Sequence, residues 1–432
     1  MRPWSLVEHS LEEWCFPVFR PFALRKAGLA AAYLFLLAAG GWYVAKNFVS
    51  IESGLGLPSD FQHYYDAGRE ILRCHTPYSD ELFLYPAILA FATTPFALTT
   101  YLTARWIWFL ASHLMLLTAA FIIWRRLGGG LAAACPVALV WAGGGAAAES
   151  LGLGQIGPLL VLLLTLAYTR TGAGSGLAAG AGAACKFLPG VLVLPLALAR
   201  DRRAVVSLLM SAAALTFLPM AALSGFEGPK SPGGAVYLLG TPALLSWSVP
   251  STVLRVMDPP ESGGRLPQSW EFGNSVSGLH LPLAQRVASA SSSLMVLLSG
   301  AMVLLWSSRG RLTREQLPIA MAGFLSLSLA AAPLCWTHYQ ILQYPGVAWL
   351  LGLAVQRRRW KVAALILTCG ALLYPIPVAV LTHYYHLYGW TAASTWQLYV
   401  WMSVTPAACL GIFAMAMFLM RSNVVACEKY FT

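Results

Sequence analysis

An all-α polytopic membrane protein is the fold class this chain predicts, and three observations carry the prediction. Of 432 residues, 58% are hydrophobic and only 10% charged, with a mean hydropathy of +0.65. A soluble domain carries about a quarter charged residues. The apolar residues gather in runs long enough to cross about 30 Å of hydrocarbon. The basic residues sit at the ends of those runs rather than along one face. The net charge of +11 therefore reads as membrane topology and not as nucleic-acid binding.

Taken in order, residues 1–26 form a cytoplasmic or interfacial N-terminal segment, with Trp4, Leu11, Trp14, Phe16, Phe19 and Phe22 interspersed with charges. Such a segment lies on a membrane or is a disordered tail. It is not expected to be a cleavable signal, because Glu8, Glu12 and Glu13 precede the apolar run and no small-residue cleavage site follows closely. Apolar runs then fall at 27–46, 101–124, 131–147, 156–168, 205–223, 287–306, 317–332, 341–355, 362–381 and 399–420.

Two stretches are irregular. Residues 82–98 include Tyr85-Pro86 and are broken by Pro95, while 174–199 is too long for one span and short for two. The positive-inside rule selects one arrangement. If 82–98 dips in without crossing and 174–199 makes a tight pair around Lys186, there are about 12 crossings. The basic clusters at Arg25/Lys26, Arg125/Arg126, Arg170, Arg200/Arg202/Arg203, Arg309/Arg311/Arg314, Arg357 to Lys361 and Arg421 then all face the cytoplasm. The transmembrane domain is 27–421, with outer loops at 47–82 and 225–284. Residues 422–432 form a cytoplasmic tail, so both termini are expected inside.

The eight cysteines are scattered and show no CxxC or Cys/His spacing, so neither a zinc site nor a disulfide framework is expected. The pair His383/His386 lacks acidic neighbours and is not read as a metal site. Polar residues collect on the outer face. In the first outer loop Asp60 stands in Ser59-Asp60-Phe61-Gln62-His63-Tyr64-Tyr65-Asp66, where near-helical spacing presents a carboxylate and a tyrosine toward one cavity. An aspartate with a reference pKa of about 3.9 is ionised at neutral pH and suits a general base. Asp66, Glu70, Asp80 and Glu81 compete for that role, and a solvated loop acid is the bland alternative.

Gln155 follows Glu149 at an outer helix end, where a glutamine can bond sugar hydroxyls or simply cap. Lys186 lies in GLAAGAGAACKFLPG; an ammonium there costs roughly 2.5 to 3.5 kcal/mol at bilayer centre unless it snorkels or meets an anion such as a lipid phosphate. Gly172, Gly174, Gly176, Gly180 and Gly182 match small-xxx-small helix packing. No Gly-Lys-Ser/Thr ending marks a phosphate loop. The second outer loop offers Ser248 and Arg255, and an arginine grips phosphate bidentately. Trp336, His338 and Tyr339 stand at another outer helix end, where Trp and Tyr are expected as an interfacial belt, so only His338 calls for explanation.

Together, SDFQHYYDAG, the Tyr78 to Pro86 stretch with a later Pro95, LGQIGPLLVLLLTLA, the glycine/alanine run into Lys186-Phe187-Leu188-Pro189, WSVPSTVLR and PLCWTHY resemble glycosyltransferase family 87. These are the polyprenol-phosphate-mannose-dependent α-1,2-mannosyltransferases of the GT-C fold. The resemblance runs from about residue 27 to 355, and its specificity lies in the order of short motifs. It implies an inverting transfer of a sugar from a polyprenyl-phosphate donor to a lipid or cell-envelope glycan acceptor, on the outer face of the plasma membrane. It implies Asp60 as base and Lys186, Arg255, His338 and Gln155 as donor contacts. His63, Tyr64, Tyr65, Tyr85, Glu149, Ser248 and Trp336 are pocket candidates. The scheme requires no cofactor or metal.

The chain departs from the family pattern at Ala87, where a second proline is common, at Gly157, where an asparagine is common, and at Ser246, where an asparagine commonly starts the motif. Mannose is accordingly the default sugar. A transporter or lipid flippase would also use an intramembrane lysine and glycine-rich helices, but no internal repeat is present and the polar residues gather at one face rather than at midplane. An inactive scaffold of the same fold is the third reading.

Overall fold

The structure, a computed structural model, describes residues 38, 59–79, 83–143, 145–229, 290–291, 293–294, 297, 301, 312–332, 335, 337–373 and 403–420. Among them the secondary structure is helical; the one β-like contact is an isolated bridge between His75 and Glu227. The elements are α1 (Asp60–Leu72), α2 (Ala87–Thr93), α3 (Tyr101–Arg126), α4 (Leu131–Gly143), α5 (Gly145–Gly152), α6 (Gly157–Thr169), α7 (Ala173–Cys185), α8 (Val193–Leu198), α9 (Arg202–Ala222), α10 (Gln316–Ala331), α11 (Tyr344–Gln356), α12 (Trp360–Leu373) and α13 (Ser403–Met420). Short 3-10 turns at Pro77–Ser79, Phe96–Leu98, Leu188–Leu192, Leu223–Gly225 and Thr337–Gln343 link several of them.

Three helical stretches, Tyr101–Arg126, Arg202–Gly225 and Ser403–Met420, are long and apolar enough to cross a membrane. The pair α4/α5, bent by 50° at the break between Trp141 and Ala146, makes a fourth if it is one broken span rather than a re-entrant loop, where the run 131–147 suggests one crossing. Run 27–46 apart from residue 38, residues 374–381 and loop residues 47–58 and 230–284 lie outside the described residues, as does most of 287–306. The described helices thus show an apolar, all-helical architecture with three or four full spans, a coarser result than twelve crossings.

The shorter helices are short for a reason that bears on chemistry. α6 and α7 have 13 residues each, which at 1.5 Å per residue is about 20 Å, less than the hydrocarbon thickness. They run antiparallel: Arg170 and Gly172 connect them at one end, while Gln155 precedes α6 and Lys186 follows α7 at the other. Lys186 breaks the run with extended backbone (φ −158°, ψ 123°), and the turn Leu188–Leu192 and α8 lead back to Arg200. Residues 174–199 therefore run as a helix, a turn after Lys186 and a short helix. α2 has 7 residues, about 10 Å, too short to cross by itself.

The small residues of α7 are used against α9, its closest partner. A Cβ on Gly176 would lie 2.0 Å from the Ala204 carbonyl oxygen, and one on Gly180 would lie 1.9 Å from Ser211 Oγ. Gly182 meets Pro189 instead, at 3.2 Å, whereas Gly174 has only ordinary contacts. Asp201 ties the basic ends together, its carboxylate accepting the N–H groups of Ala204 and Gly172 at 3.1 Å each. Gly180→Val is expected to lower stability by about 1–3 kcal/mol through forced separation of the helices. Gly174→Ala should be near neutral. Thermal unfolding of detergent-purified protein checks both, and equal melting of the two variants would refute this account of the stripe.

Candidate active site

α1 begins at Asp60 because Ser59 is extended (φ −128°, ψ 147°) and the pattern Phe61, Tyr64, Tyr65, Ile71 gives the helix one buried face. That face rests on α2, where the Thr93 hydroxyl donates to the Tyr64 carbonyl at 2.8 Å. The first turn of α1 is fixed to the loop before α6: Phe61 N–H donates to the Leu153 carbonyl at 3.2 Å. Trp108 of α3 stacks on Phe61 at 5.6 Å and donates its indole N–H to the Gly154 carbonyl at 2.8 Å. Gly154 has φ +67°, and a Cβ there would stand 2.5 Å from Phe61 Cβ. Only glycine meets both the left-handed backbone and the contact. Gly154→Ala is therefore expected to cost roughly 1–3 kcal/mol and to displace Gln155. A melting temperature and a transfer rate both equal to wild type would contradict this.

Gln155 is buried, and its Oε1 accepts hydrogen bonds from the hydroxyls of Tyr64 and Tyr85, each at 3.1 Å. The two phenol rings meet edge to face at 4.9 Å. With Oε1 doubly occupied, the Gln155 amide presents Nε2 as a donor that has no hydrogen-bond partner among the described residues. Lys186 enters from the opposite side, its Nζ 3.4 Å from the centre of the Tyr339 ring and 5.8 Å from that of Tyr85. His338 Nδ1 lies 3.7 Å from Glu149 Oε1, and its buried Nε2 has no hydrogen-bond partner among the described residues.

These groups act on Asp60 electrostatically. Burial raises its carboxyl above the usual aspartate range; His338, Lys186 and His63 oppose that, and Glu149 adds to it. Burial likewise holds the His338 imidazole below its ordinary range, against the pull of Glu149. Among the described residues no ion pair within 4 Å joins Asp60 to Lys186. Asp60, Lys186, Tyr85, Tyr339 and Glu149 are each partly exposed, whereas Gln155, Tyr64 and His338 are buried. The arrangement is a recess in the sense that a partly exposed acid and ammonium stand beside buried polar side chains.

The structure thus brings together Asp60, Tyr64, Tyr85, Glu149, Gln155, Lys186 and His338 from segments distant in sequence. Half-buried His63 lies near enough to Asp60 to act on it. Tyr65 turns elsewhere, donating to the Thr99 carbonyl at 2.7 Å and packing on Tyr101 at 5.4 Å. Of the competing acids, Asp66 faces Arg69 at 3.9 Å and Glu70 is held by Arg73 and His75 at 2.9 and 3.0 Å. Ser248, Arg255, Trp336, Asp80 and Glu81 lie outside the described residues.

Two residues of this neighbourhood escaped the sequence reading. Tyr339 had been assigned to the interfacial belt, and no local pattern predicts its contact with Lys186. Arg105, buried on α3, reaches the Tyr101 hydroxyl at 3.4 Å and the Gly152 carbonyl at 3.3 Å, steadying the end of α5 just before Gly154. A charge one turn inside an apolar run was its available signal.

Chemically, a partly desolvated carboxylate can take a proton from a hydroxyl, and an ammonium with buried donors around it can hold an anion. No curated protein matches the chain. Residues 83–245, which include Tyr85, Glu149, Gln155 and Lys186, match the family model described as glycosyltransferase family 87, and over that stretch the chain is similar to these glycosyltransferases.

Proposed function

We propose that this protein transfers a sugar, with mannose as the default, from a polyprenyl-phosphate donor to a hydroxyl of a lipid or cell-envelope glycan, inverting the anomeric centre. The observation that carries the reading is that Asp60 and Lys186 act on each other electrostatically without forming an ion pair, while among the described residues Gln155 Nε2 and His338 Nε2 have no hydrogen-bond partner. A base and a cation that neutralised each other would serve structure; unpaired, the carboxylate can take a proton from an acceptor and the ammonium can meet a phosphate.

In this scheme the acceptor oxygen attacks the sugar C1 while its proton passes to the Asp60 carboxylate. The bond from C1 to the phosphate oxygen breaks, and the polyprenyl phosphate leaves with both electrons. Charge grows on that phosphate as the bond lengthens, so a nearby ammonium stabilises the transition state more than the ground state. Gln155 donates to a sugar hydroxyl or phosphate oxygen. The neutral His338, turned toward the same space, can do likewise. The recess faces outward in the plasma membrane, with both termini cytoplasmic, since Arg170 and Arg200 mark the opposite ends of α6 and α8. Ser248, Arg255 and Trp336 are proposed to complete the pocket.

The test is transfer of radiolabelled mannose from polyprenyl-phosphate mannose to membrane lipid extracts by the purified protein, with the anomeric configuration of the product determined. An inverted product supports the reading, and a retained configuration would rule out the single-displacement mechanism. Absence of transfer with mannose and with other polyprenyl-phosphate sugars would favour a transporter.

A further inference from the structure

Lys186 is placed where an ammonium is poorly solvated. It ends α7 between apolar and small residues, and among the described residues its ammonium has neither an ion pair within 4 Å nor a hydrogen bond. The Asp60 carboxylate favours the charge from a distance, and among the described residues the nearest aromatic face to Nζ is that of Tyr339 at 3.4 Å, with Tyr85 farther off at 5.8 Å. An aromatic face attracts a cation through its quadrupole without using any of the cation's N–H donors. All three donors of Lys186 stay available for an incoming anion.

Tyr339 is itself firmly set. It lies in the turn Thr337–Gln343, whose polar side chains are locked below it: Gln343 donates to Gln340 Oε1 at 2.8 Å and to Cys409 Sγ at 3.1 Å, and accepts from Ser326 at 2.7 Å. Ile341 of the same turn closes against Gly157, with 3.0 Å left for a Cβ on that glycine. On its other side the ring meets His338 edge to face at 4.8 Å. A ring pinned in this way can hold a flexible lysine stem in one position.

We propose that Tyr339 is a positioning residue that seats the Lys186 ammonium by a cation–π contact, keeping it charged and its N–H donors directed at the phosphate of the donor lipid. The inference rests on the function proposed above. The charged and titratable groups that face Lys186 are Asp60 from α1, Tyr85 before α2, Cys335 and His338 beside the turn, and Tyr339 itself. Of these only Tyr339 is in direct contact with the ammonium in the structure.

The experiment replaces Tyr339 in the full-length protein by phenylalanine and by mono-, di- and trifluorinated phenylalanine, which drain the ring quadrupole while keeping its shape. Tyr339→Phe should retain transfer with little change in donor KM. Across the fluorinated series donor KM should climb stepwise to about tenfold, acceptor KM should stay constant, and the basic limb of the pH profile should move to lower pH as the ammonium loses its proton more readily. In a Lys186→Met background, binding of polyprenyl phosphate should be weak and indifferent to fluorination. Equal donor KM across the series in an active protein overturns the role of Tyr339 alone. Wild-type protein that neither transfers sugar nor binds polyprenyl phosphate overturns the proposed function and the inference with it.

Discussion

Asp60→Asn is expected to reduce sugar transfer by about 10²- to 10⁴-fold, the usual contribution of a positioned general base, with no loss of fold. The amide keeps the shape of the carboxyl but cannot take the acceptor proton. The expected effect on stability has the opposite sign. Because burial raises the Asp60 carboxyl above its ordinary value of 3.8, the folded protein holds that proton more tightly than the unfolded chain does. Stability from this group therefore falls as pH rises from the ordinary value through the native one, and the deficit is complete above it. At neutral pH the asparagine variant should melt at the same temperature as wild type or higher.

The same shift sets the acidic side of the rate profile. Transfer by the wild type should fall away with decreasing pH sooner than an exposed aspartate would allow, since the base is lost once protonated. Purified variant and wild type compared for product formation, melting temperature and pH dependence decide the matter. Full transfer by Asp60→Asn would pass the role to Glu149, which shares the recess. Inactivity with a sharply lowered melting temperature would make Asp60 a structural residue.

The second large effect is expected at Lys186. Lys186→Met preserves much of the stem volume and removes the charge, and transfer should drop by about 10²- to 10³-fold, the scale for losing one electrostatic contact to a developing oxyanion. Folding should tolerate the change, because a thioether is better suited than an ammonium to an apolar helix end. Lys186→Arg should restore only part of the rate: the planar guanidinium is a fork, not a point charge, and cannot sit over Tyr339 in the same pose. Binding of polyprenyl phosphate, followed separately from turnover, shows whether the loss is in the donor. Unchanged binding and turnover in Lys186→Met would remove the ammonium from the site and leave it as a snorkelling residue.

Much of the architecture was readable from local physics. Mean hydropathy and the run lengths indicated an apolar helical protein, and the described residues are helical with long apolar helices. The Gly176/Gly180 spacing predicted close helix contact, and the structure shows that contact with α9. The break of α4/α5 near Gly143 was not readable, because an apolar run looks the same straight or bent by 50°. The shortness of α6 was readable in the 13-residue run 156–168, whereas the break at Lys186 that ends α7 was not, since hydropathy does not report where a helix stops.

For the site, chemistry-bearing residue types were legible one by one, since Asp60, Gln155, Lys186 and His338 are each polar where the surroundings are not. What composition and order determined was therefore the kind of protein and a short set of candidates, because burial cost makes a polar residue in an apolar run conspicuous. What only the tertiary structure decided was their company: Gln155 fastened by Tyr64 and Tyr85, Tyr65 turned to Thr99, and Tyr339 beneath the Lys186 ammonium. Those contacts join segments remote in the chain, and hydrophobic periodicity carries information only about neighbours one or two helical turns away.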